Sequence, residues 1–229
     1  MGWSAAAVGA AGPPAAGAAT DPVVITYDVR GRGNVSDLGA LAAEAAAVYA
    51  DPRGWNLGGS LRFERVTTAG DFTLWLAADD RMATFGGACD RVWSCRNGRH
   101  VVINEDRWLG SSDSWLSAGA PLPAYRQMVL NHETGHWLGL GHAFCSGAGA
   151  PAPVMGQQSM SLQGCTPSAW PLLTERAALA ARRGVPLVQP GESTDPGRPD
   201  PAGPPAAAAR ASACIRLPRV ALRPWTRCF

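Results

Sequence analysis

Residues 132–142 read HETGHWLGLGH and hold three of the four histidines in the chain. His132 and His136 stand four residues apart. On a helix that spacing sets two side chains within roughly 40° of each other and one turn, about 5.4 Å, along the axis. Two imidazoles so placed can share one metal ion. Glu133 lies about 100° round from His132, beside such an ion rather than aimed at it. That suits a carboxylate that exchanges a proton with water without becoming a ligand. His142 cannot join on a continuous helix, because it would stand about 15 Å beyond His132. Gly139 removes the difficulty, since a glycine can take the left-handed conformation that ends a helix and turns the chain back. Three protein ligands with an open fourth position are the arrangement of catalytic rather than structural zinc. The stretch therefore predicts one Zn2+ per chain on His132, His136 and His142, with Glu133 as general base in the hydrolysis of a peptide carbonyl.

The pattern HExxHxxGxxH, matched at His132, Glu133, His136, Gly139 and His142, resembles the zinc signature of the metzincin clan of metallopeptidases. The resemblance implies that the three histidines are ligands, that Glu133 is catalytic and that Gly139 is the turn residue. It also implies a tight methionine-bearing turn beneath the metal. Met155 in PVMGQQSM is the candidate, with Met160 as the alternative. Some metzincins place a tyrosine two residues after that methionine. Here the position is Gln157, and with tyrosines only at Tyr27, Tyr49 and Tyr125 no tyrosine switch is expected. Gln157 and Gln158 read as solvated loop amides rather than oxyanion donors. The wider wording, VVINEDRWLG (101–110), YRQMVLNHETGHWLGLGH (125–142) and PVMGQQSMSLQGC (153–165), is similar to secreted proteins of high-GC Gram-positive bacteria grouped as domain-of-unknown-function family 3152. That similarity spans roughly residues 22–182 and brings no established substrate.

Around the motif, VVITYDV (23–29) reads as a strand, and SDLGALAAEAAAVYA (36–50) as an Ala-rich helix with Ser36 as N-cap. LRFERVTT (61–68) and DFTLWLAA (71–78) read as two strands joined by a short Ala-Gly connection and neighbours in one sheet. A Gly- and Cys-containing loop (82–99) precedes a short strand, HVVIN (100–104), and a Trp- and Ser-rich loop (107–120) follows. Pro121 and Pro123 then announce the helix that carries the motif and ends at Gly139. Residues 143–172 are irregular, and TERAALAARR (174–183) predicts one more short helix. The fold class expected is α+β, a metzincin-like single domain over 22–182. Its parts are a twisted mixed sheet, a backing helix, an active-site helix and an irregular C-terminal subdomain. A flexible leader (1–21) and a Pro/Ala-rich tail (183–229), too poor in large apolar residues to fold, flank it. By the same resemblance HVVIN is the sheet edge along which an extended peptide or protein substrate pairs. His100 is expected to be exposed and uninvolved, and Trp108 and Trp115 to be core.

The net charge of +2, without any lysine, gives no basic stripe for nucleic acid. No stretch is long and apolar enough to span a membrane. Six cysteines are present. Two local pairs, Cys89 with Cys95 and Cys145 with Cys165, are disulfide candidates, which favours an oxidising compartment and hence a secreted or cell-surface protein. The N-terminal Ala/Gly run has no basic segment before it and is a poor signal peptide. Cys214 and Cys228 have no assigned role. The reading is a monomeric zinc-dependent endopeptidase. The alternatives are a zinc amidase or peptidase acting on cell-wall peptides, and a non-catalytic binding protein on a metzincin scaffold. An intact Glu133 weighs against the last.

Overall fold

The computed structural model describes residues 21–189, so the expectations for the leader, for the tail from 190 onward and for Cys214 and Cys228 lie outside it. Five strands build the sheet: β1 (Val23–Arg32), β2 (Leu61–Arg65), β3 (Phe72–Ala77), β4 (Cys95–Asn97) and β5 (His100–Asn104). Their order is β2-β1-β3-β5-β4. All pairings are parallel except that of β4 with β5, so the sheet is mixed.

The expectation that 61–68 and 71–78 are neighbours is overturned. Both strands pair with β1, on opposite sides of it and in tandem. β2 runs beside Val23–Tyr27 and β3 beside Tyr27–Arg32. A connection between parallel strands ordinarily needs a dozen residues or more. Residues 66–71 suffice because the two strands use successive halves of β1. The crossing goes straight over the β1 backbone, where a Cβ on Gly70 would lie 2.6 Å from Tyr27 Cα. Asp28 fastens it, accepting from Gly70 N (3.2 Å), Thr73 Oγ1 (3.1 Å) and Arg30 Nε (2.7 Å). Burial pulls the Asp28 carboxyl upward, but those bonds outweigh it and hold the group below the ordinary carboxylate range.

Alternation along the strands sorts two cores. Ile25, Tyr27, Phe72, Leu74, Leu76, Val101 and Ile103 face helices α1 (Leu38–Ala50) and α5 (Leu122–Trp137). On the other face, Ala77 and Val102 pack with Met82, Cys89 and Cys95, partly covered by Trp75 and Phe85. The stretches expected as loops hold short elements. After α2 (Asp79–Met82) comes a 3-10 turn (Ala83–Phe85), then β4; α3 (Glu105–Gly110) and α4 (Asp113–Ser117) occupy the Trp-rich segment. Asn104 caps α3, accepting from Asp106 N and Arg107 N, and Ser112 caps α4, accepting from Trp115 N. Trp108 and Trp115 are fully buried, as expected of core.

Ser36 is not the cap of α1. The helix starts at Leu38 with no side-chain cap. Ser36 instead donates through N and Oγ to Glu105 Oε1 (2.6 and 3.1 Å), and Asp37 accepts from Trp108 Nε1 (2.8 Å). Tertiary bonds to α3 have claimed the expected cap and its neighbour.

The expectation that HVVIN is the sheet edge is overturned. HVVIN is β5, an interior strand between β3 and β4. The edge on that side is β4, folded back as an antiparallel hairpin through Gly98 and Arg99, and β2 is the edge on the other. Below α5, residues 143–172 are irregular and tied by the Cys145–Cys165 disulfide, while Cys89–Cys95 ties the segment above the edge. The last helix, α6, runs Leu173–Arg183, and Val188 N donates beyond it to Leu57 O (3.1 Å). The described residues form one mixed α+β domain. None of their helices is long and apolar enough to cross a membrane.

Candidate metal centre

The site helix is positioned by bonds that interleave with its histidines. Trp55 Nε1 donates to Asn131 O (2.8 Å), and Asn131 Nδ2 donates to Ala169 O (2.9 Å). Thr134 Oγ1 meets Tyr49 OH at 2.8 Å, joining α5 to α1. Trp137 lies on Phe72, with ring centroids 4.7 Å apart. The helix face opposite the histidines is thereby fixed to the sheet and to α1.

At its end the helix closes in the two-bond pattern of a left-handed cap. Gly139 N donates to His136 O (3.1 Å), Leu140 N donates to Gly135 O (2.9 Å), and Gly139 has φ 95°. The turn brings His142 back to the helix. His136 Nε2 then lies 3.1 Å from His132 Nε2 and 3.1 Å from His142 Nε2. Among the described residues this is the one group of three metal-binding side chains whose ligand atoms converge.

The tautomers follow from the partners. His132 Nδ1 is 2.8 Å from Val154 O, and His136 Nδ1 is 3.0 Å from Leu140 O. A carbonyl only accepts, so both Nδ1 atoms carry the hydrogen. Burial, followed by the charge of the neighbouring His136, pushes His132 down to about 3, and burial lowers His136 as well. Both rings are therefore neutral at ordinary pH, with bare Nε2 lone pairs facing each other. No hydrogen bond can join two bare acceptors, so this contact is repulsive unless a cation lies between them. A tetrahedral zinc with Zn–N near 2.0–2.1 Å would set its ligand nitrogens about 3.3 Å apart. The residues fit that ion.

Glu133 is buried beside the cluster and lines a cleft of 340 Å³ that also reaches His136, His142 and Met128. Burial pushes its carboxyl up to about 8, while the charge of Arg96 pulls it down. A bound cation would pull it down further.

Met155 is buried beneath α5. A methyl on Gly135 would overlap the Met155 sulfur and come within 3.1 Å of Trp55 Cζ2. Its turn is held on two sides. Ala143 N, next to the third histidine, donates to Met155 O (3.0 Å). Glu175, in the first turn of α6, accepts Met155 N (2.8 Å), Val154 N (3.0 Å) and Leu172 N (2.7 Å). Burial raises the Glu175 carboxyl, and those three N–H donors lower it in part. Met160, the alternative, is exposed on the lower lip of the cleft. Gln157 is exposed on that lip, as a solvated amide should be. Gln158 is not solvated: it donates to Pro153 O (3.2 Å) and Ser168 O (2.9 Å) and accepts from Ser168 N (3.0 Å). It braces the loop. His100 stands apart from the cluster, half-buried, its Nδ1 accepting from Trp75 Nε1 (3.0 Å).

Sequence reasoning missed Gly135, Glu175 and Arg96. The first had a signal, since an isolated glycine inside a helical pattern costs about 1 kcal/mol and so usually has a packing reason. Glu175 has the spacing of an N-terminal helix carboxylate, but nothing in the sequence ties it to a turn twenty residues earlier.

Fold and site together define a class: a mixed α+β domain with a three-histidine centre on a helix that ends in a glycine turn. The chain belongs to the family described as a protein of unknown function (DUF3152), whose model matches residues 15–169. That span takes in the three histidines, Glu133, Met155 and both disulfides. No curated protein matches the chain.

Proposed function

We propose that this chain is a zinc-dependent endopeptidase of the metzincin type, secreted or displayed at the cell surface and complete as a monomer. The observation that carries the reading is the convergence of three imidazoles, with His136 Nε2 3.1 Å from both His132 Nε2 and His142 Nε2, beside a buried carboxylate. Zinc on His132, His136 and His142 would supply Lewis acidity, both to make water a nucleophile near neutral pH and to polarise the scissile carbonyl.

The chain supplies the rest. Glu133 takes the proton of the attacking water and returns it to the nitrogen of the leaving amine. Val154 O and Leu140 O hold the imidazoles of His132 and His136 in one tautomer and orientation. The β4 edge, rather than 100–104, offers backbone groups to an extended peptide. Every group needed comes from one chain, which supports the monomer. Two disulfides are compatible with an extracellular setting.

Metal analysis and one substitution test the reading together. Protein purified without chelator is expected to hold about one zinc per chain. Glu133→Ala is expected to keep that zinc and lose peptide cleavage by orders of magnitude. Protein without metal, or a variant that cleaves at the wild-type rate, would overturn it.

A further inference from the structure

The cleft contains a cation that the hydrolytic machinery does not use. Arg96 is the middle residue of the edge strand β4 and pairs with Val101 of β5. Residues directly opposite in an antiparallel pair project to the same face. Val101 is buried in the core shared with α5, so Arg96 also projects towards the site helix, whereas its neighbour Cys95 points the other way into its disulfide. Arg96 accordingly lines the cleft with Glu133 and His136, and its charge is felt at both.

This guanidinium is exposed and has no partner among the described residues. None of their ion pairs includes it, in contrast to Arg30 on Asp28, Arg91 on Asp79 and Arg126 on Asp37. Apart from Glu133, the acid in the cleft wall is Asp90, and its Oδ1 accepts from Val92 N (2.7 Å) and Trp93 N (3.0 Å). Five donors in a planar fork, held over a cleft and left unmatched, are a receptor for a carboxylate.

We propose that Arg96 is a specificity-determining residue that selects peptides carrying an aspartate or glutamate side chain next to the bond to be cut. This rests on the peptidase reading. An extended peptide paired with β4 sets one residue opposite Arg96, and that residue's side chain turns into the cleft on the same face as the guanidinium. A carboxylate there completes the fork, and a lysine there meets like charge.

Full-length, zinc-loaded protein and matched quenched peptides test the assignment. The peptides differ only in Glu, Gln or Lys at each position flanking the cleaved bond. Wild type is expected to favour Glu over Gln by roughly tenfold in kcat/KM, mostly through KM, and to disfavour Lys. Arg96→Gln is expected to bring the Glu-to-Gln ratio near one, and Arg96→Glu to reverse the preference towards Lys. Raising the salt should shrink the wild-type ratio. Absence of an acidic preference, or one that survives Arg96→Gln, overturns the proposal. A binding measurement separates its failure from failure of the peptidase reading. A dipeptide hydroxamate with a Glu side chain is titrated against its Gln twin, whether or not any peptide is cut. The Glu compound should bind roughly tenfold tighter to wild type and equally to Arg96→Gln, and equal binding to wild type overturns the assignment.

Discussion

His132 Nδ1 lies 2.8 Å from the carbonyl oxygen of Val154, twenty-two residues further along the chain. The carbonyl is where it is because Glu175 accepts the N–H groups of Val154 and of Met155. A carboxylate on α6 thus orients an imidazole on α5 through one intervening turn. Glu175→Gln leaves a single acceptor oxygen where two serve three N–H donors. Zinc affinity, read by competition with a chromogenic chelator, is expected to fall about 10- to 100-fold, the usual range for groups behind metal ligands. Unchanged affinity would show that the turn holds itself.

Gly135→Ala sets two effects against each other. Alanine in a helix interior is worth up to about 1 kcal/mol over glycine. Overlap with the Met155 sulfur costs about 1–3 kcal/mol, as overpacking does. The clash should win, lowering Tm, and the cost of Gly135→Ala should be smaller when measured in a Met155→Ala background. A single variant more stable than wild type would mean that Met155 yields at no cost.

The Asp28 carboxyl is held below its ordinary range by Arg30, Thr73 and Gly70. A group with a depressed folded-state pKa stabilises the fold above its unfolded value, near 3.9, and loses that contribution as pH falls through the folded one. Denaturant unfolding should therefore find Asp28→Asn less stable than wild type at pH 7. The gap should narrow below about pH 4. A gap that stays constant down to pH 2 would remove Asp28 from the acid response.

Opening the Cys145–Cys165 bond, at a sequence separation of 20, frees a loop worth roughly 3 kcal/mol by chain entropy. The loop carries Met155 and starts just past His142. Replacing both cysteines with serine is expected to weaken zinc binding, while the circular-dichroism signal of the sheet persists at 25 °C. Zinc held at full affinity would contradict this.

The site was more legible than the sheet. His132, His136 and His142 announce themselves because ligand spacing is local and a helix converts it directly into geometry. Gly139 was readable for the same reason. Strand order is not local. β2 and β3 read as neighbours because a short Ala-Gly link joins two β-rich runs, and nothing in the run reveals that β1 passes between them. β4 was missed although Asn97-Gly98 is a strong hairpin signal, because the strand is only three residues long. Placing it would have moved the edge from 100–104 to 95–97. Ser36 failed as a cap for a related reason: Glu105 of α3 takes its N–H and hydroxyl, and a cap motif carries no record of tertiary competitors.

An open sheet border is a hazard, since unpaired backbone groups invite a second copy and then a fibril. Here the border is three residues long, carries a charge at its midpoint and is braced by the Cys89–Cys95 bond. A border this short, with a charge at its middle, is a poor template for stacking further copies.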